Sequence, residues 1–123
     1  MKKLSDNELE IMMTIWKAEE PVKSAYIAEI MKDKEWAQTT ITSFLARLVD
    51  KGFLKADTKG RTNIYTPIIA EQDYLKLKNK NYMERFYGSS AKNMVAELYH
   101  HQLISDKDLE EIRQFIEDIG KRG

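Results

Sequence analysis

The apolar residues of this chain change their spacing once, and that change constrains the fold more than any other feature of the sequence. Before Gly52 they recur every three or four positions, which is typical of amphipathic helices. After Gly52 the spacing falls to about two over 53–57 and 62–66, which is typical of β-strands. Residues 58–61 are polar and include Gly60, as in a hairpin turn. The sequence therefore predicts helices followed directly by a small β-hairpin.

Three helices are predicted before the hairpin. The first begins at Ser5, because Ser5 and Glu8 have the spacing of a capping box. The second covers about 23–32, and the third covers about 38–51 with Gly52 as its C-terminal cap. The side chains expected to face the core, helix by helix, are Leu9, Met12, Met13 and Trp16; Tyr26, Ile27, Ile30 and Met31; and Ile41, Phe44, Leu45 and Leu48. This order predicts a winged helix-turn-helix, so the fold class is mainly α with a small β-hairpin.

The remainder of the chain is predicted to be helical. One helix begins near Glu71 and is interrupted at 88–90, a second follows from Ala91, and Ser105 caps a third that ends before Gly120. Three helices with no sheet to cover cannot easily bury their apolar stripes within one chain, and we therefore predict a homodimer. The alternative is that these helices fold back onto the N-terminal half.

The predicted domains follow from this division. Residues 1–69 form a winged helix-turn-helix domain, and residues 70–123 form a helical dimerisation domain. The apolar side chains expected in the dimer interface are Tyr74, Tyr82, Phe86, Met94, Leu98, Leu109, Ile112, Ile116 and Ile119.

Charge is unevenly distributed along the chain, although 20 basic and 20 acidic residues give no net charge. Residues 36–66 carry five basic and two acidic residues, whereas residues 105–119 carry six acidic and two basic ones. The overall balance argues mildly against a nucleic-acid-binding protein. Because the basic residues are concentrated in the predicted winged helix, their distribution argues the other way.

Several classes of site are excluded or disfavoured. The chain has no cysteine, which excludes disulfides, thiolate metal sites and cysteine nucleophiles. His100 and His101 are adjacent, so they point about 100° apart around a helix and cannot readily share one metal ion. The acid pair Glu110-Glu111 has no neighbouring base that would suggest catalysis. We predict no enzymatic activity and no cofactor.

The chain contains no apolar stretch long enough to cross a membrane. Its N-terminal residues turn polar and acidic at once, unlike the apolar run of a signal peptide. We therefore expect a cytoplasmic protein without direct membrane insertion.

The third helix has an unusual polar face. Its side chains are short or small, where a merely solvated helix would carry lysine and glutamate. Such hydroxyl and amide groups can hydrogen-bond base edges in the major groove, and basic residues on the hairpin suit phosphate contacts. The predicted DNA-binding residues are Gln38, Thr39, Thr40, Thr42, Ser43 and Arg47 on the helix, and Lys55, Lys59 and Arg61 on the hairpin. The alternatives are an ordinary threonine-rich helix and a winged-helix module that docks a protein without binding DNA.

Three segments of the chain resemble the BlaI/MecI family of penicillinase and methicillin-resistance repressors: Leu9-Glu10-Ile11-Met12, Trp36-Ala37-Gln38-Thr39-Thr40-Ile41 and Lys51-Gly52-Phe53-Leu54. The resemblance covers nearly the whole chain, and it includes Tyr65-Thr66-Pro67 and Arg85-Phe86-Tyr87-Gly88. It implies a homodimeric transcriptional repressor that binds a palindromic double-stranded operator through the third helix and the wing. It also implies a membrane sensor protease as a partner, since such a protease often accompanies these repressors.

The chain departs from the family pattern at functional positions. Ala37-Gln38-Thr39 stands where relatives often have Ser-Pro-Lys, Thr42 stands where they often have Arg or Gln, and Asp50 replaces a frequent Lys. These changes remove positive or long hydrogen-bond donors, which indicates a different operator or weaker binding. The Asn-Phe bond that is cut in the resistance repressors corresponds to Glu97-Leu98, so release by cleavage cannot be inherited from the family, and proteolysis and a ligand both stay open as the means of release.

Overall fold

In the computed structural model, whose described residues are 1–122, the chain forms two compact units, Met1–Lys76 and Leu77–Gly123. The elements in chain order are α1 (Asp6–Ala18), β1 (Val22–Lys23), α2 (Ser24–Ile30), a 3-10 turn (Lys32–Lys34), α3 (Gln38–Asp50), β2 (Leu54–Lys59), β3 (Thr62–Pro67), α4 (Glu71–Tyr87), α5 (Ala91–His100) and α6 (Asp106–Arg122). The units divide within α4, at Lys76 instead of at the predicted 69/70.

The first unit contains a three-stranded antiparallel sheet in the order β1-β3-β2. The predicted hairpin is β2–β3, in which Lys59 pairs with Thr62 across a two-residue turn. Gly60 occupies the first turn position with a φ of +65°, a conformation that glycine adopts without strain. The prediction of two strands was wrong, because β1 is a third strand in which Val22 pairs with Tyr65. Strand β1 has only two residues, and a strand of that length shows no alternating pattern in the sequence.

The predicted ends of α1 and α3 are confirmed by their hydrogen bonds. At the start of α1, the Ser5 hydroxyl accepts from the Glu8 backbone N–H (3.2 Å) and the Ser5 N–H donates to the Glu8 carboxylate (2.7 Å). At the end of α3, Gly52 has a φ of +82° and its N–H donates to the Val49 carbonyl. The Phe53 N–H donates to the Leu48 carbonyl, which completes a Schellman motif. This turn leads the chain into β2 with Phe53 in the core.

The core of the first unit only partly matches the predicted helix faces. Its buried apolar residues are Leu4, Ile11, Met12, Ile15, Val22, Ile27, Ile41, Leu45, Leu48, Phe53, Leu54, Tyr65 and Tyr74. The prediction for α3 is largely confirmed, with Phe44 half-buried at the edge. The prediction for α1 was wrong at Met13, which is 54% exposed, because Ile11 and Ile15 form the buried face instead. In α2 only Ile27 is buried, whereas Tyr26 and Ile30 are exposed.

Tyr74 was predicted in the dimer interface, and the structure corrects this. Its side chain is 3% exposed within the first unit. Its ring packs against Trp16 at 5.6 Å and against Phe53 at 5.8 Å between centroids. The Trp16 indole N–H also donates to the Ile69 carbonyl at 2.9 Å, which ties the start of α4 to α1. The first turns of α4 therefore complete the winged-helix core.

The second unit is helical and differs from the first in its burial. Ser105 caps α6 as predicted: its hydroxyl accepts from the Asp108 N–H (3.1 Å) and its N–H donates to the Asp108 carboxylate (2.8 Å). The predicted end of α6 was wrong, because the helix continues through Gly120 to Arg122. None of the described residues from 77 to 122 is fully buried.

Candidate nucleic-acid interface

The polar face of α3 lies on the surface of the first unit. Gln38, Thr39, Thr42, Ser43 and Arg47 are exposed, and Thr40 is half-buried. The opposite face of the helix is anchored by the buried side chains Ile41, Leu45 and Leu48. A helix held in this way presents its small polar side chains at fixed positions. The structure thus brings together the six α3 residues predicted from sequence on one helix.

Hydrogen bonds distinguish the members of this face. The Gln38 amide donates to the Ser24 hydroxyl at 3.3 Å, and the Thr42 hydroxyl donates to the Gln38 carbonyl at 3.0 Å. The Thr42 oxygen therefore remains available as an acceptor. Within residues 1–122 the hydroxyls of Thr39 and Ser43 make no hydrogen bond, so both can donate to and accept from a ligand.

Ser24 was missed by the sequence analysis. It is the first residue of α2, and its contact with Gln38 joins the N-terminal ends of α2 and α3. Lys23, immediately before it, is exposed on β1. The signal was weak in the sequence, because β1 was not recognised and α2 has no side-chain cap.

The wing carries its predicted cations at its surface. Lys59 and Arg61 flank Gly60 at the tip, both are exposed, and neither forms an ion pair with a described residue. Lys55 lies 3.8 Å from Asp57 in an exposed pair, which water screens. All three side chains can reach outward for phosphate groups. The wing and α3 belong to the same compact unit.

Lys51 adds to the basic charge of this region in the sequence, but it has another role in the structure. Its ammonium lies 2.6 Å from the carboxylate of Glu8, which is 2% exposed, and also donates to the Lys3 carbonyl at 2.9 Å. Burial alone would raise the pKa of Glu8. Hydrogen bonds from Lys51 and Ser5 outweigh burial, so the pKa of Glu8 lies below its ordinary value of 4.5. Lys51 thus fastens the end of α3 to the start of α1.

The second unit leaves several large apolar side chains exposed on its surface. Of the residues predicted to dimerise, Tyr82, Phe86, Ile116 and Ile119 are more than half exposed. The half-buried members are Met94, Leu98, Leu109 and Ile112. A hollow of about 510 Å³ between α5 and α6 is lined largely by apolar side chains. Phe115, 64% exposed, lies on the same amphipathic helix as Ile116 and Ile119 and was not predicted.

Residues 1–122 contain no group of three or more histidine or acidic side chains arranged to hold a metal ion. Across the same residues, no helix combines the length and the hydropathy that a bilayer requires.

Comparison with known proteins gives a consistent result. Residues 4–118 match the family described as penicillinase repressor. The penicillinase repressor of Bacillus licheniformis is 36% identical over 125 residues, which cover 99% of this chain and 98% of that protein. The methicillin resistance regulatory protein MecI of Staphylococcus aureus (strain N315) is 26% identical, and the match covers 92% of each chain.

Two solved structures resemble part of the chain. The DNA-binding domain of the repressor BlaI is 42% identical with a TM-score of 0.52, covering 60% of this chain and 94% of that one. The monomeric form of Bacillus licheniformis BlaI in complex with the blaP half-operator is 36% identical with a TM-score of 0.50, covering 59% of this chain and 89% of that one.

Proposed function

This chain belongs to the penicillinase repressor family and is a DNA-binding transcriptional repressor, and we propose that it acts as a homodimer on a palindromic operator. In this proposal α3 enters the major groove, and the β2–β3 wing contacts the backbone. The relative bound to the blaP half-operator is 36% identical to this chain and supports the operator-binding part of the proposal. We expect the protein to act in the cytoplasm, without a cofactor and without catalysing a reaction.

The polar face of α3 is the observation that carries the proposal. The major groove admits one α-helix, and short hydroxyl side chains can approach base edges there closely. Thr39 and Ser43 have free hydroxyls, and Thr42 retains an acceptor. A docking surface for another protein would be expected to offer exposed apolar or aromatic anchors, and this face has none among its exposed members.

The cations of the interface supply the part of the affinity that does not depend on sequence. Each phosphate that is neutralised adds roughly 0.9 to the slope of log K against log salt. About two such contacts per subunit, from among Arg47, Lys55, Lys59 and Arg61, would give a dimer a slope near −4. Because the chain has no net charge, its binding to unrelated DNA should be weak, and specificity should depend on two α3 helices reading two half-sites.

The second unit supports the homodimer. Its described residues include none that is fully buried, although α5 and α6 carry apolar side chains along one face. A second copy would cover these faces and bury the same residues twice, as a two-fold interface requires.

A carboxylate placed on α3 tests the proposed interface. Thr42→Glu should weaken binding by at least 100-fold to a duplex that the wild-type chain selects from a random-sequence library. The new carboxylate would lie in the major groove close to negatively charged phosphates, and the base edges that Thr42 contacts would lose their hydrogen bonds. Gel-shift titration at several salt concentrations measures the loss of affinity. The matched control is Gln72→Glu, which adds the same charge at an exposed position of α4. Unchanged affinity of Thr42→Glu would favour the protein-docking alternative.

A membrane sensor protease is the further partner that we propose from the family. The position of the Asn-Phe bond is occupied by Glu97 and Leu98, both inside α5. Co-expression with any sensor-protease gene that lies beside the gene for this chain, followed by mass spectrometry of the repressor, tests this partner. A signal-dependent fragment would support it, and an intact chain during induction would remove it.

A further inference from the structure

A stack of aromatic and cationic side chains runs along one flank of α3. The Arg47 guanidinium lies over the Phe44 ring, 5.6 Å from its centroid. The Phe44 ring packs against Trp36 at 5.2 Å between centroids, with the planes tilted by 51°. The Lys34 ammonium lies 5.9 Å from the Trp36 ring and 2.7 Å from the Glu10 carboxylate. The stack thus contains four side chains, and its last member, Lys34, contacts Glu10 of α1.

The two ends of the stack differ in their charge balance. The Lys34 ammonium has a carboxylate partner, Glu10, in an exposed ion pair. Arg47 has no ion pair with any residue from 1 to 122, and its side chain is exposed. Its guanidinium is therefore oriented by an aromatic face and keeps its hydrogen-bond donors for another group. An arginine with five donors in a planar fork suits a phosphate.

Helix geometry explains why Phe44 can orient the Arg47 guanidinium. Phe44 and Arg47 are three residues apart, so their side chains are neighbours on the surface of α3. Phe44 is half-buried at the edge of the core, which restrains its ring. A long side chain that is already restrained loses less conformational freedom when it binds. Phe44 can therefore raise affinity without touching DNA itself.

We propose that Phe44, braced by Trp36, is a positioning residue that holds Arg47 beside the polar face of α3 for contact with an operator phosphate. This inference rests on the proposed function, in which α3 enters the major groove. A cation–π contact at an exposed site corresponds to a change of about two- to fivefold in an equilibrium constant. Loss of the Phe44 ring should weaken DNA binding by about that factor.

A double-mutant cycle tests the coupling between the two residues. The variants are Phe44→Leu, Arg47→Gln and the pair, and the probe is a duplex that the wild-type chain selects from a random-sequence library. We expect Phe44→Leu to weaken binding about two- to fivefold when Arg47 is present and to have no further effect in Arg47→Gln. Arg47→Gln itself should lower the salt slope by roughly 0.9 per subunit.

Two further variants separate positioning from folding. Phe44→Tyr keeps the ring and should retain wild-type binding. Trp36→Leu removes the brace and should weaken binding less than Phe44→Leu, again only when Arg47 is present. Thermal unfolding of each variant shows how much of the first unit remains folded at the binding temperature, and affinities are calculated for that folded fraction.

The outcomes distinguish this inference from the proposed function. Equal weakening by Phe44→Leu with and without Arg47 would overturn the positioning role and leave the interface intact. Weakening by Phe44→Tyr equal to that by Phe44→Leu would also overturn it. If Arg47→Gln bound the selected duplex with wild-type affinity and salt slope, the contact assigned to Arg47 would be wrong, and the inference would fail with it.

Discussion

The two units of the molecule use similar amphipathic helices in different ways. In the first unit, α1, α2, α3 and the sheet enclose a core with fully buried members such as Ile11, Leu45 and Phe53. In the second unit, α5 and α6 have comparable apolar faces, yet Phe115 and Ile116 remain more than 60% exposed. The first unit buries a core of its own, although Met13, Ile30 and Ile68 stay more than half exposed, whereas the second unit has no fully buried residue among those described. The absence of a fully buried core among the described residues of the second unit is the difference on which the proposed homodimer rests.

A charge in the apolar surface of the second unit gives the largest expected effect. Ile116→Asp should shift the monomer–dimer equilibrium by at least 100-fold toward monomer, because a carboxylate buried without a partner is strongly unfavourable. Sedimentation equilibrium over a range of concentrations measures this shift. Gln114→Glu, on the polar side of α6 beside Asp118, adds a similar charge and should leave the dimer intact. If the wild-type protein is monomeric at micromolar concentration, the second unit does not form the proposed dimer interface.

A cavity in the first unit should act on folding instead of assembly. Leu45→Ala should lower the free energy of unfolding by about 2–5 kcal/mol, since Leu45 is fully buried in the core. Urea unfolding at several protein concentrations measures the change, which should not vary with concentration for the transition of the first unit. A loss below about 1 kcal/mol would mean that this core is less tightly packed than the structure shows.

The Glu8–Lys51 pair should give a smaller and pH-dependent effect. Glu8→Gln should cost about 2 kcal/mol at neutral pH, because it leaves Lys51 without its buried counter-ion. The folded-state pKa of Glu8 is lowered, so its contribution is present above about pH 4.5 and is lost as the pH falls through the folded-state pKa. The difference in unfolding free energy between wild type and Glu8→Gln should therefore shrink on acidification. The exposed pair Lys34–Glu10 provides the control, Glu10→Gln, for which we expect less than about 1 kcal/mol.

A difference that stays constant from neutral pH to about pH 3 would contradict this account of Glu8, since the carboxylate would then not be the group responsible.

The sequence predicted best those features that local chemistry determines. The capping box of Ser5 and the glycine at the end of α3 involve residues close in sequence, and both were confirmed. The core face of α3 could be predicted because its large apolar residues recur at helical spacing along a single face. The polar face of α3 could be predicted for the same reason.

Features that depend on tertiary packing were predicted less well. Apolar residues occupy more than one face of α1, so the sequence could not decide between Met13 and Ile15 as core members. Strand β1 pairs with β3 across more than 40 residues of chain, which no local pattern reveals. Tyr74 looked like other aromatic residues of α4 and became a core residue only through its contacts with Trp16 and Phe53. The stack that includes Arg47 was not predicted because its residues come from separate parts of the chain: the 3-10 turn and the loop after it, α3, and α1.

Footprinting of the promoter upstream of the gene for this chain tests the central claim most directly. The account predicts two protected half-sites related by a two-fold axis, with centres one helical turn of DNA or a multiple of it apart, and two chains per duplex. Protection should disappear with Thr42→Glu and persist with Gln72→Glu. A protected site without two-fold symmetry, or protection that Thr42→Glu leaves unchanged, would contradict the account.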